Sequence, residues 1–141
     1  MLKGATEEIK KTFKIFFDQE KILNLIFLKD LRGTKFFDDQ VELIKKDIIE
    51  ALKEQNKKIP GFFIDISIVS CTQFDISSQS RRIVTELLKE MGTEKIAFCG
   101  GGLVIKTVVK FISIRTNKED QIKWFARKKE AREWLLKKQY I

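Results

Sequence analysis

The stretch from Gly61 to Met91 constrains the fold more than any other part of this chain. It begins with FFIDISIV, an apolar run of strand length, and continues through a polar turn into residues whose apolar members recur at helical spacing. A run that is apolar on both faces suits an interior parallel strand covered by helices. The stretch therefore predicts a buried strand, a turn and an amphipathic helix, whose apolar stripe is Ile83, Val84, Leu87, Leu88 and Met91.

The same order of strand and helix returns twice after this stretch. KIAFC leads through a glycine triplet into a nearly apolar helix, and IKWF leads into a terminal helix with Ala131, Trp134 and Leu135 on one face. Strands that alternate with helices form mainly parallel sheets with right-handed crossovers. Both later units therefore predict further parallel strands beside the first.

Two strands and a helix are predicted before Gly61. KTFKIFF and ILNLIFL are separated by a short polar loop, which favours an antiparallel hairpin. The segment from Phe37 to Gln55 has apolar residues three or four positions apart, with acids at its start and lysines near its end, as in a helix. We therefore expect an α/β fold (α+β in some schemes) of order β-β-α-β-α-β-α-β-α, with a mixed, mainly parallel sheet, an N-terminal antiparallel hairpin and helices packed on it.

Composition limits the chemistry that the chain can perform. Its 141 residues suit one domain, and we expect a polar leader at residues 1–10 and a single domain at residues 11–141. The chain has no histidine, so a Ser–His or Cys–His nucleophile pair cannot form within it. Cys71 and Cys99 are too few for a disulfide scaffold, and we interpret them as inert thiols rather than as a redox pair. We expect no catalysis, no cofactor and a cytoplasmic location.

The formal net charge of +8 favours an anionic partner, which is a nucleic acid, a membrane surface or an acidic protein. The basic residues are interleaved with acids along the chain, as on a solvated, lysine-rich surface. The densest basic set lies between Lys118 and Lys138, but acids interrupt it and no motif that reads nucleic acid accompanies it. We therefore do not expect nucleic-acid binding.

Four segments carry a resemblance to a known family. They are IDIS at residues 64–67, QFDISSQSRRIVTELLKE at 73–90, KIAFCGGGLVIKTVVKFI at 95–112 and IKWFARKKEAREWL at 122–135. In order and spacing they resemble the STAS domain of anti-sigma-factor antagonists, and more closely its SpoIIAA-like branch of stand-alone domains. The resemblance implies a mixed sheet with packed helices and a non-enzymatic binding or regulatory role. The SpoIIAA-like branch resembles domains that are linked to lipid-like ligands and membrane association.

Ser77 and Ser78 stand where the helix after the central strand begins. In the partner-switching antagonists that the chain resembles, a serine at this place, in an Asp-Ser-Ser context, is phosphorylated by a kinase that is also the anti-sigma factor. Here an inserted Ile76 separates the acid from the serines. The residues themselves favour helix capping. The alternative is a phosphosite whose phosphate pairs with Arg81 and Arg82 one turn along the helix.

The helix predicted from Leu103 to Ile114 is more apolar than its position requires. A helix that covers one face of a sheet needs only about a third of its surface to be apolar. The excess predicts a cover, which is a neighbouring helix, a second protomer, or lipid whose anionic headgroups would meet the flanking lysines. The glycine triplet before the helix lets it approach the sheet, and a phosphate cradle is the alternative use. The predicted contact residues are Gly101, Gly102, Leu103, Val104, Lys106, Val108, Lys110 and Phe111.

These features together predict a non-catalytic binding or regulatory module of the SpoIIAA-like type. We expect it to bind a lipid-like ligand or a membrane surface through the apolar helix at residues 103–114. Its expected partners are a lipid-like ligand, an unidentified protein or a second copy of the chain. The alternative is a partner-switching module that is phosphorylated at Ser77 or Ser78. An enzyme that uses carboxylates such as Asp65 and Asp75 has little support in the sequence.

Overall fold

The computed structural model describes residues 3–54, 59–69 and 77–137. Within these ranges the strands and helices follow the predicted order, with one further helix at the N-terminal end. The strands are β1 (Phe13–Phe17), β2 (Leu23–Phe27), β3 (Gly61–Asp65), β4 (Lys95–Cys99) and β5 (Ile122–Phe125). The helices are α1 (Lys3–Lys10), α2 (Phe37–Glu54), α3 (Ser78–Glu90), α4 (Gly102–Arg115) and α5 (Lys128–Leu136).

The strands of the described part form one mixed sheet in the order β1-β2-β3-β4-β5. β1 and β2 pair antiparallel as a hairpin, and the pairs from β2 to β5 are parallel. In the hairpin turn, the side chain of Asp18 accepts hydrogen bonds from the backbone N–H groups of Glu20 and Ile22 at 2.9 and 3.1 Å. The predicted α/β fold, with its mainly parallel sheet and N-terminal hairpin, is confirmed.

The helices divide between the two faces of the sheet. Each parallel strand lies directly beside the preceding one, so right-handed crossovers put α2, α3 and α4 on the same face. Helix α5 packs on the opposite face, against β3, β4 and β5. The larger core cluster includes Phe62 and Ile64, and the smaller one, under α5, includes Phe63, Ala131 and Leu135. Successive side chains of β3 therefore serve different cores.

The first ten residues contribute more than the polar leader that their composition suggests. Lys3–Lys10 form α1, and Ile9 is buried in the larger core cluster together with Phe13. The hydroxyl of Thr12 donates a hydrogen bond to the carbonyl of Ile9 at the end of this helix. The buried contact of this helix comes from Ile9, which stands among mainly polar residues. For this reason the sequence pattern does not predict the packing.

Strand β3 ends at Asp65, before the end of the apolar run FFIDISIV. The carboxylate of Asp65 accepts a hydrogen bond from the backbone N–H of Ser67 at 2.9 Å and another from the Ser67 hydroxyl. Such bonds form a turn in which an aspartate replaces a backbone acceptor. Ile66 and Val69 are nevertheless buried. Only the first part of the run therefore pairs as a strand, and the apolar residues after it are partly buried (Ile66, Val69) and partly exposed (Ile68).

Candidate ligand cavity

A large cavity lies between α3, α4 and the sheet. Its volume is about 880 Å³. The floor consists of apolar side chains that the sheet presents on the face shared with α2, α3 and α4. The strand residues of this floor are Leu25, Phe27, Phe62, Ile64 and Phe98.

The cavity arises because α3 and α4 pack against different neighbours. Helix α3 packs along α2, whereas α4 packs on β5. The space above β3 and β4, between the two helices, is therefore left open. Gly100, just before α4, has φ +89°, and a Cβ atom at this position would lie 2.6 Å from the Cα of Ser67. The close approach of these two loops fixes where the chain leaves β4 on its way to α4.

The walls of the cavity are mainly aliphatic. Helix α3 presents the stripe that the sequence predicted, and part of that stripe faces the cavity rather than a neighbouring element. Helix α4 presents the side that faces the sheet and α3. The aliphatic wall residues of these two helices are Ile83, Val84, Leu87, Leu88, Ile105, Val108, Val109 and Ile112.

Polar and charged groups also line the cavity. Arg81 and Arg82 belong to α3 near its start, whereas Arg115 is the last residue of α4. Asp30 and Arg32 lie in the loop after β2 and pair with each other, with Arg32 Nη2 at 2.7 Å from Asp30 Oδ2. The hydrogen bond from Arg32 is the main reason that the pKa of Asp30 is lower than usual. An apolar volume with a few convergent polar groups is the usual form of a small-molecule site.

The predicted contact residues on and before α4 divide into two groups. Val108 and Phe111 line the cavity. Lys106 lies over the ring of Trp124, with its Nζ 5.7 Å from the ring centroid, and Lys110 pairs with Glu119 at 3.5 Å. The predicted residues that the cavity lining does not include are Gly101, Gly102, Leu103, Val104, Lys106 and Lys110.

One side of α4 is exposed although it is apolar, and we call it the α4 stripe. It consists of Leu103, Phe111 and Ile114, which are 74%, 60% and 53% exposed. Because these three side chains are exposed, the interpretation that a neighbouring helix covers this surface is wrong. The terminal helix α5, which carries Trp134, packs on the opposite face of the sheet. Coverage by lipid or by a second copy of the chain remains a prediction.

Ser77 is the N-cap of α3, as its sequence position suggested. Its side-chain oxygen accepts a hydrogen bond from the backbone N–H of Ser80 at 3.0 Å. Its hydroxyl also donates to Oδ1 of Asp38, in the first turn of α2, and the Ser80 hydroxyl donates to the same oxygen. These two bonds, that from Ser77 first, hold the pKa of Asp38 below its usual value. Ser77 therefore joins the starts of α2 and α3.

Ser78 has different surroundings from Ser77. It is exposed, and Nη2 of Arg81 lies 3.5 Å from its hydroxyl oxygen. A phosphate on Ser78 would lie near a guanidinium group, whereas a phosphate on Ser77 would lie beside the carboxylate of Asp38. Phosphorylation of either serine remains a prediction, and the geometry favours Ser78 over Ser77 as the acceptor.

The substitution S77D is expected to lower the free energy of unfolding by about 1–2 kcal/mol. Aspartate caps a helix about as well as serine, so loss of the cap is not the cause. The cause is Asp38, which loses a donor and gains a neighbouring negative charge. S78D, whose charge lies in the first turn of α3, is expected to be neutral or slightly stabilising. Urea denaturation of both variants measures the difference.

The variant D38N provides the control for this comparison. In the D38N background, S77D should cost less than in the native background, because the second carboxylate is absent. An equal cost in both backgrounds would show that Asp38 does not cause the effect.

The other candidate groups from the sequence do not form a reactive set in the described part. The carboxylate of Asp65 is engaged by Ser67. The thiol of Cys99 is buried, and burial first and the charge of Asp65 second raise its pKa. Cys71 and Asp75 lie outside the described residues. Residues 3–54, 59–69 and 77–137 include no group of three or more His, Cys, Asp or Glu side chains suited to a metal ion.

Sequence reasoning found the apolar surplus of α4 but missed the cavity. It interpreted Arg81 and Arg82 only as partners of a phosphoserine, whereas both also line the cavity. The available signal was the position of two arginines directly beside the apolar stripe of α3. These two arginines indicate a ligand site only once the structure shows that the stripe of α3 borders a cavity.

Comparison of the chain with protein-family models, with curated proteins and with solved structures gives no match. None of the helices in the described ranges is both long enough and apolar enough to cross a bilayer. The cavity and its charged lining are therefore the observations on which a functional proposal rests.

Proposed function

We propose that this protein is a non-catalytic binding module that holds a lipid-like ligand in the cavity between α3 and α4. The single observation that carries the proposal is the cavity of about 880 Å³ with its apolar floor and walls. Sites for small molecules are typically about 300–1,000 Å³ in volume and predominantly apolar. The resemblance to the SpoIIAA-like branch supports the same class of ligand.

The shape of the cavity supports an elongated ligand. The lining residues of α4 extend from Ile105 to Arg115, a rise of about 15 Å along the helix axis. On the opposite wall, the lining residues of α3 extend from Ser78 to Lys89. Phe37, Val41, Ile44 and Ile48 of α2 also line the cavity. A volume that extends along α3 and α4 suits a single acyl or alkyl chain better than a compact ring system.

A ligand also accounts for the packing of the protein. Protein interiors are close-packed and contain few voids larger than a water molecule. Phe62 and Ile64 are buried in the larger core cluster and yet border the cavity. An apolar occupant would cover the half-buried apolar side chains of the walls, Val84, Leu87, Val108 and Ile112, and gain dispersion contacts with them.

Phe111 links the cavity with the outer surface, because it lines the cavity and also belongs to the exposed α4 stripe. A ligand that enters beside this residue would pass from an apolar surface directly into an apolar interior. The proposal therefore gives the predicted contact helix two roles, as a wall of the cavity and as the surface next to its opening.

The proposal predicts that V108W weakens binding of a neutral apolar probe at least tenfold. Val108 lines the cavity, so an indole at this position would occupy the space that the ligand needs. N-phenyl-1-naphthylamine is a suitable probe because it is apolar, uncharged and fluorescent in apolar surroundings. Fluorescence titration of the native protein should show saturable binding, and V108W should lose it.

The matched control is V104W, one turn earlier on α4. Val104 is half-buried, as Val108 is, but does not line the cavity. Its affinity for the probe should stay within about twofold of the native value, which is within the scatter of such free energies. Absence of saturable binding to the native protein, or equal losses in V104W and V108W, would contradict the proposal.

A further inference from the structure

The charged side chains in the cavity lining show a strong excess of positive charge. A hydrocarbon chain alone does not require this excess. In the described part of the chain the basic lining residues are Arg32, Arg81, Arg82, Lys89 and Arg115, and the acidic ones are Asp30 and Glu86.

Two of the basic residues have a partner beside them. Arg32 pairs with Asp30 through two hydrogen bonds, Nε–Oδ1 at 2.9 Å and Nη2–Oδ2 at 2.7 Å. The guanidinium of Arg115 lies over the ring of Phe111, 5.6 Å from the centroid. Glu86 stands four residues after Arg82 and three before Lys89 on α3, but in the described part no ion pair within 4.0 Å joins it to either residue.

Arg81 and Arg82 stand at consecutive positions near the start of α3. No carboxylate oxygen of residues 3–54, 59–69 or 77–137 lies within 4.0 Å of either guanidinium group. The polar neighbour recorded for Arg81 is the hydroxyl of Ser78, at 3.5 Å. Both arginines nevertheless line the apolar cavity. Both side chains are exposed, so they lie at the rim of the cavity, where the anionic end of an apolar chain would meet them.

We propose that the ligand is a single-chain amphiphile whose terminal carboxylate or phosphate is bound by Arg81 and Arg82. This inference rests on the proposed function, since it names the chemical class of the ligand in the same cavity. Guanidinium groups bind carboxylate and phosphate through two parallel hydrogen bonds. The hydrocarbon chain occupies the slot between α3 and α4, over the floor that Phe62 and Ile64 form.

The experiment compares dodecanoate, dodecyl phosphate and dodecanol, three probes with the same chain and different ends. Isothermal titration calorimetry below the micellar concentrations gives the affinity of each for the native protein. The two anionic probes should bind at least tenfold more tightly than dodecanol. Inorganic phosphate should not bind measurably, because it lacks the chain.

The double substitution R81Q/R82Q should remove this preference. Its affinity for dodecanoate and dodecyl phosphate should fall about tenfold, while its affinity for dodecanol stays unchanged. Glutamine is a good helix former, so α3 is expected to persist, and circular dichroism checks that it does. R81K/R82K keeps the charge but loses the fork geometry, and should recover only part of the preference.

Two further variants test where the anion lies. K128Q/K129Q removes two positive charges from α5, on the opposite face of the sheet, and should leave all affinities unchanged. K89Q/R115Q removes the other basic lining residues of α3 and α4, and it should reduce the anionic preference less than R81Q/R82Q does. Loss of the preference in K128Q/K129Q, or a loss in K89Q/R115Q as large as that in R81Q/R82Q, would overturn the assignment to Arg81 and Arg82.

The outcomes separate this inference from the proposed function. Equal affinity for dodecanol and dodecanoate would overturn the headgroup assignment and leave the apolar cavity site intact. Binding of inorganic phosphate as tight as that of dodecyl phosphate would overturn the amphiphile and indicate a free-anion site. Failure of all three chain-bearing probes, together with failure of the neutral fluorescent probe, would overturn both proposals.

Discussion

Substitution of Gly100 by alanine is expected to lower the free energy of unfolding by about 3 kcal/mol or more. Two costs add at this position. Gly100 has φ +89°, a conformation that costs a residue with a Cβ atom about 1–2 kcal/mol. The new methyl group would also lie 2.6 Å from the backbone Cα of Ser67, and backbone atoms cannot move aside as the end of a flexible side chain can.

The other glycines of the chain separate these two costs. Gly102 has φ +77°, but no atom lies within 4 Å of the place where its Cβ would be. G102A should therefore pay only the conformational cost, about 1–2 kcal/mol. Gly92 has neither a close neighbour nor a positive φ, and G92A should be nearly neutral. In urea denaturation, the loss in free energy of unfolding should be largest for G100A, smaller for G102A and smallest for G92A. An equal loss in G100A and G102A would show that Ser67 moves to make room for the methyl group.

The contact between Gly100 and Ser67 also bears on the cavity. Ser67 lies in the turn that Asp65 closes after β3, and Gly100 follows β4. Trp124 reinforces the same corner, since its Nε1–H donates to the carbonyl of Gly100 at 2.8 Å. These contacts hold the start of α4 next to β5 and away from α3. Displacement of this corner by G100A should therefore alter the width of the cavity as well as the stability.

Sequence patterns were sufficient for the five strands, the helices α2 to α5 and the sheet type, but not for α1. The alternation of strands with helices fixed the parallel part, and the polar loop between KTFKIFF and ILNLIFL fixed the hairpin. These signals are local, because each depends on residues within one segment or on neighbouring segments. The apolar excess of α4 was also visible in the sequence, but the pattern left open what covers it, and Leu103 and Phe111 are exposed in the structure.

The cavity was not predictable from the same patterns. An apolar stripe on α3 predicts that this side of the helix faces the interior. It does not show whether the stripe packs on another helix or borders a cavity. That distinction depends on the separation of α3 and α4, which is set by what each helix packs on elsewhere. The separation is a property of the assembled fold, and no single segment encodes it.

Two lysines also make contacts that the sequence patterns did not predict. Nζ of Lys95 donates to the carbonyl oxygens of Trp134 and Lys137 at the end of α5, at 2.8 and 2.6 Å. Nζ of Lys118 donates to those of Leu88 and Met91 at the end of α3, at 2.8 and 2.9 Å. Each lysine satisfies carbonyl groups that a helix leaves unpaired at its C-terminal end. Because the partners are distant in sequence, the sequence alone gives no reason to distinguish these lysines from ordinary surface charges.

Replacement of Phe63 by alanine is expected to lower the free energy of unfolding by about 3–5 kcal/mol. Phe63 is 0% exposed and lies in the smaller core cluster, where Ala131 and Leu135 of α5 pack. The guanidinium of Arg132 also lies over its ring, 5.9 Å from the centroid. Because few large side chains join α5 to the sheet, loss of this one should release the helix. Protease cleavage within α5 and a change in Trp134 fluorescence would report the release.

The control for size is F63L, which keeps an apolar side chain and should cost less than about 1.5 kcal/mol. The control for position is F62A, which alters the neighbouring residue of the same strand, on the opposite face. Phe62 is 1% exposed and forms part of the cavity floor. F62A should therefore change the affinity for N-phenyl-1-naphthylamine and leave α5 protected.

F63A should release α5 and leave probe binding intact, whereas F62A should do the opposite. The reason is that the sheet separates Phe63 from the cavity. With the sheet and the helices α2 to α4 still folded, its affinity for the neutral probe should remain within about twofold of the native value. Equal loss of probe binding in both variants would show that the two faces of the sheet are not independent. Independence is what the alternation of β3 side chains between the two cores implies, and it confines ligand binding to the face that α3 and α4 share.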